Sequence, residues 1–428
     1  MKIIKKKLKN GVEVVLSPML DNPTVTFVVL VKTGSRNETK QNSGISHFLE
    51  HMCFKGTEKR LSAHDISSEL DGIGAQSNAF TSHEYTGYYA KSDKKYSKKI
   101  LDVVSDIYLN PTLPEKEIEK EKGVILEEIN MYEDMPQQVA IRMFYEVLYG
   151  DTSLGWSILG PKENIKKFKR EDFLKYKEAN YLPENTSIIV AGNFDKDQVF
   201  SDIKNLFEKI PTKKTKRNKP IIKDTQTSPT LSIKEKKTDQ THFVLGVRTF
   251  EYENKKNPTL EVLRAVLGGG MSSRLFQKLR EEMGVCYYVK AGTDIMTDRG
   301  FLAISSGSDN KRVKNVVRVC LDECSRLAEG DIDEKELKKA KAYVAGNLSM
   351  GLESSDDVAM FIGEQQILSK SGFKTPAEIK KEIEKVEIKD VVTLAKQIFK
   401  KKNLNLSVVG PWKDKKDFSK ELFFRHEK

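Results

Sequence analysis

The chain has 428 residues, of which 38% are hydrophobic and 32% charged, and its formal net charge at pH 7 is +11. This composition excludes a disordered or fibrous protein and allows two globular domains of roughly 200 residues each. The lysines mostly alternate with glutamates in helix-like segments, and no zinc-finger, RNP or basic-zipper pattern accompanies them, so nucleic acid is not the expected partner.

The sequence also bears on the compartment. The lysine-rich N-terminus is not followed by the apolar run of a signal peptide, and no stretch approaches the ~18 apolar residues of a membrane-spanning helix. The four cysteines form no C-x-x-C pair, and Cys320 and Cys324, one helical turn apart, are expected to be small buried side chains. We therefore expect a protein of the reducing cytoplasm that does not enter the membrane.

Strand and helix patterns are mixed in the first half of the chain. Apolar alternation predicts strands in segments 12–18, 24–34, 75–92 and 186–194. Helical periodicity predicts helices in segments 43–54, 62–74, 94–111 and 114–134. Because strands and helices do not alternate strictly, we predict an α+β fold with helices on one face of a mainly antiparallel sheet.

The second half repeats the first. Segment 115–131 lines up with 334–350, and segment 185–194 lines up with 403–412, at offsets of 219 and 218 residues. Two anchors at nearly one offset predict two homologous domains rather than a solenoid. The polar, basic segment 211–230 is predicted to be a linker, which puts the domains at 1–210 and 231–428.

The segment SGISHFLEHMCFKGT carries the first chemical signal. On a helix, His47 and His51 lie on one face and can present two imidazoles to one metal ion, with Glu50 on the same side within reach of a metal-bound water. The alternative is an ordinary helix in which both histidines pack or cap, because this short motif also arises by chance.

A catalytic zinc site needs a third protein ligand, and the 114–134 helix offers glutamates for it. Glu121 and Glu128 are seven residues apart and share a face, whereas Glu127 points about 120° away from Glu121. In the second copy, which has no H-x-x-E-H, the equivalent positions are Ala340 and Asn347. The histidine motif and the two carboxylates are thus present together or absent together, which favours a metal site over a solvated helix face.

With H-x-x-E-H and a glutamate 77 residues after His51, the chain resembles the pitrilysin/insulinase-type zinc metallopeptidases, which include the subunits of mitochondrial processing peptidase. The resemblance also covers GAQSNAFTSHEYTGYY, LNPTLPEKEIEKEKGVILEEINMYED and LGGGMSSRLFQKLREEMGVCYYV. It implies that His47, His51 and Glu128 bind zinc, that Glu50 is the catalytic base and that Glu121 orients a ligand. The implied fold is an α+β roll, with a sheet of about six strands backed by helices, present twice.

The resemblance implies two substrate contacts as well. Asn78 and Ala79 would lie on an edge strand that pairs with an extended peptide, although an ordinary sheet strand explains the same alternation. Arg280 and Tyr287 match an arginine–tyrosine pair of the family, with Tyr287 donating to the developing oxyanion and Arg280 holding substrate backbone. The sequence alone is equally compatible with a purely structural role, in which Arg280 is an ordinary helix residue and Tyr287 is a buried tyrosine.

The expected function is that of a zinc endopeptidase acting on peptides inside a clamshell chamber. Two domains make half of the four-domain clamshell of the single-chain relatives, so a homodimer is expected, with a heterodimer containing an inactive homologue as the alternative. A non-catalytic scaffold of the same family is the competing reading, and an anion-binding protein using the +11 charge is a third. Two imidazoles and a carboxylate suit Zn²⁺, but cobalt or manganese could substitute.

Overall fold

The computed structural model describes residues 1–213, 219–220, 222 and 224–427. The strands in chain order are β1 Ile4–Lys7, β2 Glu13–Pro18, β3 Thr24–Val31, β4 Gln76–Thr81, β5 Thr86–Asp93, β6 Thr186–Gly192, β7 Thr230–Glu235, β8 Gln240–Thr249, β9 Cys286–Ile295, β10 Gly300–Asp309 and β11 Leu404–Gly410. The helices are α1 Ile45–Cys53, α2 Ala63–Asp71, α3 Ser97–Leu109, α4 Glu115–Asp134, α5 Pro136–Tyr149, α6 Lys162–Lys167, α7 Arg170–Asn180, α8 Lys196–Phe207, α9 Asn257–Gly268, α10 Val313–Glu329, α11 Glu334–Met350, α12 Ser355–Leu368, α13 Pro376–Glu384, α14 Ile388–Ile398 and α15 Lys416–Ser419.

The predicted elements of the first half are confirmed, with one refinement. The four predicted helices correspond to α1, α2, α3 and α4, and the strand segments correspond to β2, β3 and β6. Segment 75–92 forms two antiparallel strands, β4 and β5, joined by a turn. The N-terminal strand β1 was not predicted from the sequence.

The two sheets have the same strand order, which confirms the duplicated fold. The first is six-stranded, in the order β1-β2-β6-β3-β5-β4, and the second is five-stranded, in the order β7-β11-β8-β10-β9. Apart from β1, each strand of the first sheet has its counterpart in the second. All neighbouring pairs are antiparallel except β2 with β6 and β7 with β11. Each unit is therefore α+β with a mainly antiparallel sheet.

The chain divides into two compact units that interleave along the sequence. Unit 1 contains Met1–Asn130, Trp156–Ile221 and Gly351–Phe373, and unit 2 contains Met131–Gly155, Ile222–Met350 and Lys374–Lys428. A single cut at 211–230 does not describe this arrangement, because α5 belongs to unit 2 and α12 to unit 1. Part of that predicted linker lies outside the described residues, and its described residues before β7 form neither helix nor strand.

In unit 1, α12 covers the sheet face opposite the main helical layer. Alternate residues of β3 point to opposite faces, so Val25 and Phe27 enter the core shared with α1 and α3, while Thr24 and Thr26 face α12. The hydroxyls of both threonines lie 2.8 Å from the Ser355 hydroxyl at the start of α12. The sequence predicted helices on one face only, and this second layer explains why β3 is buried on both faces.

Unit 2 repeats this design with α5. Its sheet buries Phe243 and Leu245 in the main core, whereas Val244 packs on the other face in a cluster with Phe144 of α5. The Ser407 hydroxyl of β11 donates to the Ala140 carbonyl of α5 at 2.7 Å. Cys320 and Cys324 are buried in the main core, as predicted. None of the helices in the described part of the chain is long and apolar enough to cross a membrane.

Candidate metal centre

Helix α1 is held at its N-terminus by a buried carboxylate. The Glu38 side chain accepts hydrogen bonds from the backbone N–H groups of Gly44 at 2.8 Å and Ser46 at 2.9 Å. It thereby satisfies N–H groups that have no partner inside a helix and places negative charge at the positive end of the helix dipole. Gly44 adopts a φ of 98°, and a Cβ there would lie 2.7 Å from the Leu159 carbonyl oxygen, so only glycine fits this entry to the helix.

Glu38 should leave a signature in the pH dependence of stability. Burial raises the pKa of Glu38 from 4.5 to about 7, against the opposing effect of its hydrogen bonds from Ser46 and Gly44. The folded chain then binds this proton more tightly than the unfolded chain, so the free energy of unfolding falls as pH rises from 4.5 to about 7. The contribution to the slope is at most about 1.4 kcal/mol per pH unit. Thermal unfolding of metal-free Glu38→Gln should show a shallower loss of stability over this range than metal-free wild type; equal slopes would contradict the assignment.

Three side chains converge on one point between α1 and α4. The Nε2 atoms of His47 and His51 lie 3.6 Å and 3.8 Å from the same oxygen, Oε2 of Glu128. The ligand atoms of the three residues lie within 4.8 Å of one another, and the two imidazole centroids are 4.6 Å apart. The i,i+4 spacing on α1 and the position of Glu128 on α4 thus bring together the three residues that the sequence predicted as metal ligands.

The distances fit a tetrahedral zinc ion better than direct hydrogen bonds. Three ligand atoms about 2.0–2.2 Å from one tetrahedral ion lie about 3.3–3.6 Å from each other. The Glu128 Oε2 atom is buried and has no hydrogen-bond partner in the described part of the chain. An unpartnered buried carboxylate oxygen is costly, and a cation shared with the two imidazoles would compensate that cost. The residues present therefore fit the metal that the motif implies.

The protonation state of His47 suits metal binding, whereas His51 binds protons more tightly and has to release one from Nε2 when a metal binds. Burial, together with the charge of His51, lowers the pKa of His47 to about 3, so this imidazole is neutral at neutral pH. Burial lowers the pKa of His51 too, but the hydrogen bond to Glu121 and the charges of Glu50, Glu121 and Glu128 outweigh it and raise the pKa. A neutral imidazole is the form that ligates a metal.

Glu121 fixes the orientation of His51. Its Oε1 atom lies 2.9 Å from Nδ1 of His51, and its Oε2 atom lies 2.6 Å from Nζ of Lys55. Although burial raises the pKa of Glu121, the hydrogen bonds from His51 and Lys55 outweigh it and lower the pKa. An ionised carboxylate can only accept, so Nδ1 of His51 must carry the proton, and Nε2 is left with a lone pair on the side of Glu128.

Replacing Glu121 should weaken metal binding without removing a ligand. Glu121→Gln removes the charge that holds the proton on Nδ1 of His51, and the affinity for zinc should fall about 10-fold or more. Competition with a chelating dye measures this affinity. Glu119→Gln is the matched control, because the Glu119 side chain is 70% exposed on the same helix. Equal affinities in the two variants would show that Glu121 does not act on the metal centre.

Glu50 lies beside this centre and is connected to the sheet edge. The Thr81 hydroxyl, in the last residue of β4, donates to Glu50 Oε2 at 2.9 Å. Thr81 is the one hydrogen-bond partner of this carboxylate in the described residues. Burial raises the pKa of Glu50, and the hydrogen bond from Thr81 only partly offsets it.

The predicted substrate strand is an edge strand. β4 pairs with β5 and ends the six-stranded sheet, and no described strand pairs with its other edge. Asn78 is exposed and Ala79 half-buried on this strand, and the Asn78 side chain accepts from the Ala79 N–H at 2.8 Å. The geometry permits strand addition, and the roles of Asn78 and Ala79 in substrate binding stay predictions.

Arg280 and Tyr287 lie in unit 2, away from the sequence segments that carry the metal centre. Arg280 belongs to a π-helical segment, Phe276–Glu282, and Tyr287 belongs to β9. The Arg280 guanidinium lies 5.4 Å from the Tyr287 ring centroid, and the Tyr287 side chain is 76% exposed. The structure brings this pair together and corrects the alternative of a buried tyrosine, while their catalytic roles stay predictions.

Three contacts of the site escaped the sequence reasoning: those of Glu38, Lys55 and Thr81. Lys55 is four residues after His51, so helical spacing was a usable signal for it. Thr81 sat within the predicted strand segment, but nothing local indicated that it would meet Glu50. Glu38 lies in a loop, where no periodicity indicates a partner.

Comparison with known proteins identifies the family. Residues 14–162 match the family described as insulinase (peptidase family M16), and residues 167–344 match the peptidase M16 inactive domain. The chain is 36% identical to an uncharacterized zinc protease of Bacillus subtilis over 94% of this chain and 97% of that protein. It is 32% identical to an uncharacterized zinc protease of Streptomyces coelicolor over 95% of this chain and 89% of that protein.

A solved structure agrees with these matches. The crystal structure of a protease from Helicobacter pylori superposes on this chain with a TM-score of 0.89 and 25% sequence identity. The alignment covers 96% of this chain and 99% of that protein. A duplicated α+β unit whose first copy carries an H-x-x-E-H helix and a converging third carboxylate defines a class of metallopeptidase-like proteins. The chain belongs to the M16 (insulinase) peptidase family, as the sequence predicted.

Proposed function

We propose that this chain is a zinc-dependent endopeptidase that hydrolyses peptides and unstructured protein segments. The observation that carries the proposal is the convergence of His47, His51 and Glu128, with Glu50 beside them. The names of the relatives, which are zinc proteases, support the same activity. In the second half, Ala340 and Asn347 stand where Glu121 and Glu128 stand in the first, so the proposed chemistry belongs to the first half alone.

Each residue has a distinct task in this proposal. A zinc ion bound by His47, His51 and Glu128 supplies a Lewis acid that polarises the peptide carbonyl and acidifies a water molecule. Glu50 accepts a proton from the attacking water and delivers it to the leaving amine. Thr81 holds one carboxylate oxygen of Glu50, which leaves the other oxygen for the water. Because burial raises the pKa of Glu50, its affinity for the transferred proton is increased.

The substrate is proposed to bind as an added strand. The outer edge of β4 offers backbone hydrogen bonds to an extended peptide with little demand on its sequence. Thr81 ends this strand and contacts Glu50, so a peptide bond at the end of the added strand would lie near the catalytic base. Tyr287 and Arg280 are proposed to assist as oxyanion donor and backbone contact, on the strength of the resemblance.

The chamber and the homodimer belong to this proposal as well. They follow from the resemblance to proteins built of four such domains. If the purified chain alone sediments as a dimer and cleaves peptides, a homodimer is supported. If activity requires a second, inactive homologue, the heterodimer replaces it.

Metal removal tests the proposed function. Wild type should contain one zinc per chain and cleave an unstructured fluorogenic peptide of ~10–20 residues, long enough to lie along an edge strand. Chelation should abolish cleavage, and added zinc should restore it. A chain that binds zinc but cleaves no peptide in the presence of zinc would favour the non-catalytic scaffold, and a chain that binds no zinc would contradict the proposal.

A further inference from the structure

Unit 1 contains a cavity that shares no residue with the metal centre. It has a volume of about 810 Å³ and lies among the C-terminal ends of α3 and α8, helix α7 and the residues that follow α8 up to Lys213. This volume is in the range of small-molecule sites, which are concave, mostly apolar and few per protein. Nothing in the proposed peptidase chemistry uses it.

The walls of the cavity are mainly apolar. Two tyrosines, Tyr108 and Tyr181, stack with ring centroids 5.3 Å apart at an interplanar angle of 27°. The remaining apolar lining comes from Leu109, Leu174, Leu182, Leu206, Ile210 and Pro211. A ligand that fills this space must bring apolar surface of its own.

The aromatic part of the lining is rigid and preformed. The Tyr181 hydroxyl lies 2.9 Å from the Tyr88 hydroxyl, which accepts from the Cys53 thiol at 3.5 Å. The Tyr108 hydroxyl lies 2.7 Å from the Thr186 hydroxyl. These buried hydrogen bonds fix the two rings, so a ligand would not have to order them on binding.

The polar part of the lining is cationic. It contains Lys59, Lys177, Lys209 and Lys213 against a single carboxylate, Glu178, which leaves a net charge of +3. Lys59 pairs with Asp102, and Lys213 pairs with Glu178. Neither Lys177 nor Lys209 forms an ion pair with any described residue.

Lys177 is the distinctive member of this group. Its ammonium donates to the Leu109 carbonyl at 3.0 Å and lies 5.8 Å from the Tyr181 ring centroid, so one of its three donor hydrogens is used. It is partly buried, and burial lowers its pKa. A cation placed beside apolar walls without a carboxylate partner is costly unless a ligand supplies the anion.

We propose that this cavity binds an anionic amphiphile, a carboxylate joined to an apolar chain, with the carboxylate on Lys177 and the chain against the leucine and tyrosine walls. Two sources share this chemistry: a free fatty acid and a short peptide with an apolar C-terminal residue. The apolar walls disfavour polar metabolites, and the net positive charge of the lining disfavours cationic ligands.

Calorimetric titration of the full chain with laurate, with dodecanol and with a leucine-terminated tripeptide tests the proposal. Laurate should bind, and dodecanol should bind about 10-fold or more weaker, since it lacks the charge-assisted contact. Tripeptide binding that disappears when its C-terminus is amidated would point to the peptide source; laurate binding without tripeptide binding would point to the fatty acid.

Two variants tie the binding to this cavity. Lys177→Met removes the ammonium and keeps the length, and should weaken laurate about 10-fold or more, whereas Lys175→Met, at an exposed position of the same helix, should not. Leu174→Trp, at a residue that is 39% exposed, should fill the cavity and block laurate without unfolding the chain. The proposal is overturned if wild type, Lys177→Met and Leu174→Trp bind laurate equally. It is also overturned if wild type binds dodecanol as tightly as laurate, or binds neither laurate nor the tripeptide.

Discussion

Replacing Glu50 by glutamine is expected to lower kcat for peptide cleavage by about 10²–10⁴-fold, which is the usual contribution of a general base to the rate. The glutamine amide cannot accept the proton, but it keeps the shape of the side chain. Glu50 is not among the three side chains that converge on the metal position. Its amide can still accept from the Thr81 hydroxyl, so the fold and the zinc content should be those of wild type.

The measurement pairs cleavage of a fluorogenic peptide with zinc analysis of the same protein samples. Glu127→Gln is the matched control, because Glu127 is exposed on α4 and, among the described residues, its side chain accepts from Asn130 alone, at 3.3 Å. Loss of activity together with loss of zinc would make Glu50 a structural support of the site. Near-normal cleavage by Glu50→Gln would remove it as the base.

Replacing Glu128 by glutamine should remove the zinc itself, in contrast to Glu50→Gln, which keeps it. Peptide cleavage should be lost as a consequence of the lost metal. Removing an outer contact of a metal site costs 10–100-fold in affinity, so losing a direct ligand should cost more than about 100-fold. Burial raises the pKa of Glu128, and its Oε2 atom has no hydrogen-bond partner among the described residues. The metal-free variant should therefore be no less stable than metal-free wild type.

Zinc affinity by dye competition and thermal unfolding with and without zinc check both parts of this result. In wild type, zinc should raise the melting temperature, since a ligand that binds only the folded state stabilises it. In Glu128→Gln that increase should disappear at the same zinc concentration, while Glu127→Gln, one residue away, should keep it. One zinc per chain in Glu128→Gln would contradict the ligand assignment.

The metal centre illustrates how far helical periodicity reaches. The i,i+4 spacing of His47 and His51 and the i,i+7 spacing of Glu121 and Glu128 are properties of single helices, so the sequence alone identified the candidate residues. The packing of α1 against α4 decides the rest: it determines which of the two carboxylates faces the imidazole Nε2 atoms and which one contacts Nδ1 of His51. In the structure Glu121 lies against Nδ1 of His51 and Glu128 lies nearest the Nε2 atoms, while the roles of the two carboxylates stay predictions.

Contacts between distant segments were beyond such reasoning. The amphipathic pattern of α5 is compatible with either sheet, because it specifies only that one face be buried, and α12 has no marked amphipathic pattern at all. The interleaving of the two units therefore had no signature in the sequence. The hydrogen bond from Thr81 to Glu50 and the cap of Glu38 on α1 likewise join residues whose local patterns are independent.

By itself, the sequence determined the duplicated α+β fold, the H-x-x-E-H helix and the family, because these depend on local periodicity and on spacing along the chain. Only the tertiary structure decided the convergence of His47, His51 and Glu128 on one point, the link from Glu50 to the edge strand and the cationic, tyrosine-lined cavity beside α7. These features lie where several helices and strands contact each other. Each local sequence pattern is compatible with many such arrangements, and close packing of the side chains selects one of them.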